Sequence, residues 1–166
     1  MSSNEKLQAL VVRPLTAEAF KPFGEVTAMN EGSRRNPLPR AFERTGEAIE
    51  PRLWVSTVTS ASALPLTLRT LECHPYSTQT FLPINAPYLV VVCHSDEAGQ
   101  PDMGTLQAFH ATAEQGVTYA RNVWHHGLTA LESPARFVVS MSFTGTGGDD
   151  IFVPLGLPVQ LVSSEA

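Results

Sequence analysis

Positive charge is scarce in this chain of 166 residues: eleven lysines and arginines stand against sixteen aspartates and glutamates, for a net charge of -5. A nucleic-acid role has little support on that balance, because binding a phosphate backbone needs a surplus of cations. Lysine is scarcest, with two residues against nine arginines. Cysteine is confined to Cys73 and Cys93. Their spacing fits no common zinc motif and two cysteines make no disulfide framework, so both read as reduced strand residues. Long apolar runs are missing too. Leu7 to Val12 is broken by Gln8 and closed by Arg13 and Pro14, too brief and polar for the core of a signal peptide. The longest run elsewhere, Leu89 to Cys93, falls far short of a membrane span. Internal repeats and low-complexity tracts are absent. The expectation is a cytoplasmic protein with neither membrane nor nucleic acid as partner.

What is present suits a single domain over residues 1–166, long enough for one real core. Apolar residues reach 43%, ordinary for a globular protein. Thirteen prolines and eleven glycines are spread through the chain and cut it into short pieces, which favours strands over helices. Leu7 to Val12 reads as a first strand. Thr16 then caps a short helix at Ala17 to Phe20, which Gly24 closes. Further strands are expected at Arg52 to Thr59, Leu66 to His74, Ser77 to Pro83, Tyr88 to His94, Thr105 to Ala111, Val117 to Ala120, Val123 to Ala130 and Ala135 to Phe143. Period-two geometry places Leu66, Leu68, Thr70, Glu72 and His74 on one face, and Phe137, Val139, Met141 and Phe143 on another. Between Asn30 and Pro51 lies a long polar loop holding Arg34, Arg35, Arg40 and Arg44. It is either solvated or an anion-facing flap, since arginine forks suit carboxylates. The pattern predicts an all-β fold, a closed sandwich or jelly-roll barrel with one short N-terminal helix.

Polar residues at strand positions mark where a barrel encloses something wet. Two segments carry them. In Glu72-Cys73-His74-Pro75-Tyr76-Ser77-Thr78-Gln79, alternation sets Glu72 and His74 on one face, and Gln79 returns after a turn. A cupin's first motif has histidine, one residue, histidine, a short gap and glutamate. Here Glu72, His74 and Gln79 occupy those places. In Gly116-Val117-Thr118-Tyr119-Ala120-Arg121-Asn122-Val123-Trp124-His125-His126, His125 falls where a cupin's second motif sends its histidine inward. Adjacent strand residues face opposite ways, so only one of His125 and His126 looks in, and the motif favours His125. His94 reads as solvated. His110 shares a face with Leu106 and Ala108 and has an inward option. Asp149 and Asp150 read as surface or turn residues, and Trp54 and Phe109 as core or interface.

The runs "LPLTLRTLECHP", "HPYSTQTFLP" and "EQGVTYARNVWHH", with their spacing, resemble the signature blocks of the ureidoglycolate lyase family. The likeness is strong from Leu64 to Phe137 and looser over "LTAEAFKPFGEV". It implies a homodimeric, cupin-like double-stranded β-helix that cleaves (S)-ureidoglycolate to glyoxylate and urea in allantoin and purine degradation. It also implies an optional divalent metal, nickel or similar, held by His74 and His125 with Gln79 or Glu72. A neutral glutamine is a poor ligand, so weak metal binding is expected. His125, His74 and Gln79 are the expected catalytic residues. Arg121, Tyr119, Trp124, His126 and Glu72 are the expected substrate-binding residues.

Three departures from the family pattern stand out. Cys73 replaces a usual arginine, Met141-Ser142 stands where an Asp-Arg pair is usual, and the asparagine-glycine segment near the long loop is not clear. With an arginine lost, the substrate carboxylate needs another partner: Arg121 first, then Arg69 or the Arg34 to Arg44 cluster. The chemistry needs a base for the hydroxyl proton and an acid for the departing nitrogen, and histidine serves either role. The sequence leaves open an amidohydrolase route. It also leaves open another cupin enzyme on a small carboxylate, a metal-dependent isomerase or oxygenase, and a non-catalytic ligand-binding cupin.

Overall fold

A computed structural model describes residues 7–29, 32 and 34–164. In chain order the strands are β1 (Gln8–Pro14), β2 (Gly24–Ala28), β3 (Glu50–Val58), β4 (Leu66–Cys73), β5 (Gln79–Pro83), β6 (Tyr88–Cys93), β7 (Gln107–Ala111), β8 (Gln115–Tyr119), β9 (Trp124–His125), β10 (Thr129–Ala130), β11 (Ala135–Phe143) and β12 (Ile151–Val162). Helix α1 (Ala17–Phe20) follows β1, and the Thr16 side chain accepts from the Ala19 amide as its cap. A 3-10 turn at Met103–Thr105 precedes β7. No helix among the described residues is long and apolar enough to cross a membrane.

Strands β6, β7, β1, β12, β4 and β9 pair in that order, and β9 returns to β6. The result is a closed six-stranded barrel, parallel at β1 against both β12 and β7 and antiparallel elsewhere. A five-stranded antiparallel sheet, β2-β8-β5-β11-β3, covers one side of it. Strand β6 explains the layering. All six of its residues are buried. Leu89, Val91 and Cys93 join Leu68, Leu71, Cys73, Trp124 and Leu161 inside the barrel. Tyr88, Val90 and Val92 face the other way, into a second core with Phe20, Phe23, Phe109, Val117, Tyr119 and Phe137 between barrel and sheet. A strand buried on both faces reads as an unbroken apolar run, which is how it stands in the sequence.

The all-β, cupin-like barrel expected from the sequence is the architecture found. Several boundaries differ. β12 and β2 were not anticipated. β12 carries Pro154, Gly156 and Pro158, which read as breakers. Pro154 ends one paired stretch opposite Thr70, and Gly156 and Pro158 lie in the slip before pairing with β4 resumes at Val159. The same slip breaks the alternation expected along Leu66 to His74: Leu68 and Leu71 enter one core, and Thr70 is exposed. The strand expected over Val123 to Ala130 is split into β9 and β10 around Gly127. The arginine-rich segment is partly docked: Arg44 bridges Ser77, and Thr45 donates its amide to the Tyr76 carbonyl at 2.8 Å. Asn30, at the head of that loop, lies outside the described residues.

Candidate active site

Four elements end at one rim of the barrel. The end of β4 brings Glu72, the start of β5 brings Gln79, the end of β8 brings Tyr119, and β9 brings His125. Glu72 and His125 are direct partners across β4 and β9, so both side chains leave the sheet on the same face. Their sequence neighbours Cys73 and Trp124 point the opposite way, into the barrel. The turn after β4 places His74, whose carbonyl accepts from the Asn122 amide at 3.2 Å and so ties the two motif segments together. Asn122 sits at φ 63°, the left-handed conformation that lets the chain reverse between β8 and β9.

Glu72, His74 and His125 offer ligand atoms that all lie within 4.8 Å of one another. Both imidazoles are buried, at 3% and 1% exposure, with ring centroids 5.1 Å apart. Glu72 is partly open to solvent and lies 3.6 Å from His125 Nδ1. It also lines a cleft of about 220 Å³ with Thr70, Leu71, His126, Gly127 and Phe152.

His74 is enclosed by acceptors. Its Nδ1 lies 2.9 Å from Asp150 Oδ1 and 3.1 Å from the Asp149 carbonyl, and its Nε2 lies 3.0 Å from Gln79 Oε1. The Gln79 amide group in turn points at Met141 Sδ, 3.6 Å away. An imidazole whose two nitrogens both face oxygen acceptors is satisfied when both carry protons. Burial alone would push its pKa down. The Asp150 hydrogen bond, the Glu72 charge and the Asp149 carbonyl outweigh that and raise it above 6.5.

His125 has the opposite setting. Its Nδ1 donates to the His126 carbonyl at 3.2 Å, and among the described residues its Nε2 has no partner. Its ring lies flat on Tyr119, centroids 4.1 Å apart and planes within 3°. Burial first, then the neighbouring His74, holds its pKa well below 6.5. His125 is therefore neutral, with a lone pair free on Nε2. Burial also raises Glu72, offset in part by His74.

The other expected site residues are spread more widely. Gln79 and Tyr119 belong to the cluster. His126 stands beyond Glu72 in the cleft, its Nδ1 3.0 Å from Thr129 Oγ1. Trp124 lies inside the barrel, away from His125. Arg121 is exposed, and its Nη1 donates to the Pro75 carbonyl at 3.3 Å, beside the turn that carries His74. Cys73 faces the barrel core, where burial pushes its thiol up to about 11. Met141 and Ser142 lie beneath the site, Met141 behind Gln79 and Ser142 with its amide on Ser77 Oγ at 3.0 Å. His94 is not simply solvated: it stacks on Phe23 at 4.6 Å. His110 is exposed. Asp149 and Asp150 are not free surface groups. Asp149 is buried and accepts from the Thr144 amide and hydroxyl, and Asp150 pairs with His74. Nothing in the local pattern of a Gly-Gly-Asp-Asp turn announces that partner.

One carboxylate and two imidazoles are a donor set that suits a divalent transition metal, and the unpartnered His125 Nε2 is a nitrogen able to ligate. Glu72 rather than Gln79 supplies the carboxylate of that set.

The family model described as ureidoglycolate lyase matches residues 7–152. A provisionally named ureidoglycolate lyase of Agrobacterium fabrum is 42% identical, over 96% of this chain and 98% of its own length. The ureidoglycolate lyase of Pseudomonas entomophila is 35% identical over 89% of this chain and 93% of its own. That of Mesorhizobium japonicum is 39% identical over 84% and 87%.

Proposed function

Because the chain belongs to the ureidoglycolate lyase family, we propose that it cleaves ureidoglycolate to glyoxylate and urea at the rim formed by Glu72, His74, Gln79 and His125. The observation that carries this reading is the pair of adjacent buried imidazoles in contrasting settings, His74 held between oxygen acceptors and His125 with its Nε2 unpartnered among the described residues, which drive their pKa values in opposite directions. Such divergence between neighbours is how one site holds an acid and a base at the same pH.

Ureidoglycolate carries a hydroxyl and a urea nitrogen on one carbon, beside a carboxylate. The His125 Nε2 lone pair takes the hydroxyl proton. The oxygen's electrons form the aldehyde carbonyl as the carbon–nitrogen bond breaks. His74, charged and able to donate from Nε2, protonates the departing nitrogen, and urea leaves. Gln79 holds the His74 ring until substrate displaces it, and then offers its amide to the urea group. Arg121 swings from Pro75 to meet the carboxylate, since Glu72 and Asp150 make the inner rim negative. A divalent ion, when bound by Glu72, His74 and His125, would make the substrate hydroxyl more acidic. The division of protons described above belongs to the site without it.

A carbon–nitrogen lyase of the amidine-lyase kind is the fitting reaction class, with (S)-ureidoglycolate as substrate and purine breakdown as its setting. A cytoplasmic location suits the two free cysteines. His125→Ala tests the assignment. It should lower glyoxylate release from ureidoglycolate at least about 100-fold, the usual worth of a positioned acid or base, with an unchanged circular dichroism spectrum. Full activity in that variant would remove His125 from the reaction.

A further inference from the structure

We propose that Asp150 is a positioning residue for the reaction: it holds His74 through Nδ1, so that Nε2 is the nitrogen His74 presents to the site. The proposal rests on the lyase reading for its effect on turnover, and on geometry for its effect on the ring.

The contact is direct, with Asp150 Oδ1 2.9 Å from His74 Nδ1. A carboxylate only accepts, so the pairing fixes a proton on Nδ1 and settles the ring's orientation. The Asp149 carbonyl, 3.1 Å from the same nitrogen, adds a second acceptor from the neighbouring residue. The turn that presents both is built for a fixed shape. Gly145, Gly147 and Gly148 take positive φ values of 76°, 91° and 77°, which only glycine adopts freely. Inside the turn, the Asp149 carboxylate accepts from the Thr144 amide at 2.8 Å and its hydroxyl at 2.9 Å. Asp149 therefore closes the turn and Asp150 is the residue the turn delivers. β12 begins at once afterwards, and its Ile151–Cys73 and Phe152–Glu72 pairs anchor the delivery to the strand that carries Glu72. The Asp150 side chain stays 45% exposed and touches the far side of the His74 ring from Gln79, so it stands behind the ring. Histidines at reactive sites are regularly oriented in this way, by a carboxylate on the ring nitrogen that does not face substrate.

The test uses Asp150→Ala and Asp150→Asn in the full chain, freed of metal by chelation for the spectroscopic arm. Nitrogen-15 NMR of the His74 ring, assigned with His74→Gln, reads protonation of Nδ1 without any substrate. Steady-state kinetics with ureidoglycolate read kcat and KM separately. In Asp150→Ala the Nδ1 resonance should shift as the ring loses its carboxylate partner, and kcat should fall on the order of 10- to 100-fold with KM nearly unchanged. Asp150→Asn keeps an acceptor for Nδ1 and should recover most of both. An unchanged His74 ring signal in Asp150→Ala overturns the proposal, and so does an altered ring with wild-type kcat. Equal loss in both variants, with a lowered melting temperature, also overturns it, because that assigns Asp150 to the turn alone. If the wild-type chain does not turn over ureidoglycolate, the lyase reading fails while the ring measurement still decides what Asp150 does.

Discussion

His74 and His125 carry the same side chain, and their pKa values move in opposite directions because their neighbours differ. Three oxygen acceptors hold both nitrogens of one ring, whereas the other has the His126 carbonyl and the more distant Glu72 carboxylate on Nδ1 alone, and lies flat on an aromatic face. The pH dependence of the metal-free enzyme follows from the two directions. His125 must be neutral, and its pKa lies well below 6.5, so activity is lost only on the acid side of that value. His74 must be charged, and its pKa lies above 6.5, so activity is lost only on the alkaline side. Between the two values each ring is mostly in the state the reaction needs. The expected kcat/KM profile is a bell with its top spanning 6.5, and a rise through 6.5 with no alkaline fall would contradict the assignment of His74 as acid. At this scale the sequence carried a partial signal. Period-two spacing marked Glu72 and His74, and strand geometry allowed only one of His125 and His126 to face the site. Asp150 was hidden, because its partner is 76 positions away and the contact depends on a turn whose shape no local pattern announces.

Elements matter to this site chiefly through their ends. The rim needs β8 to stop at Tyr119 and β2 to lie close against it, with Gly24 opposite Tyr119. A Cβ on Gly24 would run into the backbone carbonyl of Thr118 and approach the Phe20 ring. Backbone cannot yield as a flexible side chain does. Gly24→Ala should therefore destabilise the fold by about 3 kcal/mol, at the upper end of overpacking costs, as read by urea denaturation. A change below about 0.5 kcal/mol would show that β2 shifts freely, as a surface position does. Strands with clean alternation or a two-sided apolar run, such as β11 and β6, were legible in the sequence. β12 was not, since Pro154 and Pro158 argue against a strand. Pro154 ends one paired stretch, and Pro158 lies in the slip before Val159. β2 was read as the end of α1, because one glycine can close a helix or open a strand.

At the scale of the whole molecule, one face of the five-stranded sheet carries exposed apolar side chains among the described residues. Phe42 and Leu53 are each 73% exposed and Val55 58%, and a groove of about 460 Å³ runs past Leu38, Ala41, Leu82 and Val138. Patches of this kind mark association surfaces, and β3 is an edge strand. The homodimer implied by the family likeness would use this face. If two copies meet through this face, Leu53→Asp should turn a dimer into a monomer in analytical ultracentrifugation, and a monomeric parent chain or an unchanged sedimentation coefficient would exclude the face as an interface. The barrel class was legible at this scale from short strands separated by turns. The pairing order was not, because it brings β1, from the start of the chain, between β7 and β12 through contacts the sequence does not display. The account turns on what leaves the substrate carbon, and product analysis tests this directly. The purified chain is supplied with ureidoglycolate, and glyoxylate, urea and ammonia are followed together. The account predicts glyoxylate and urea in equal amounts without ammonia. Ammonia released in step with glyoxylate, or no glyoxylate at all, would contradict it.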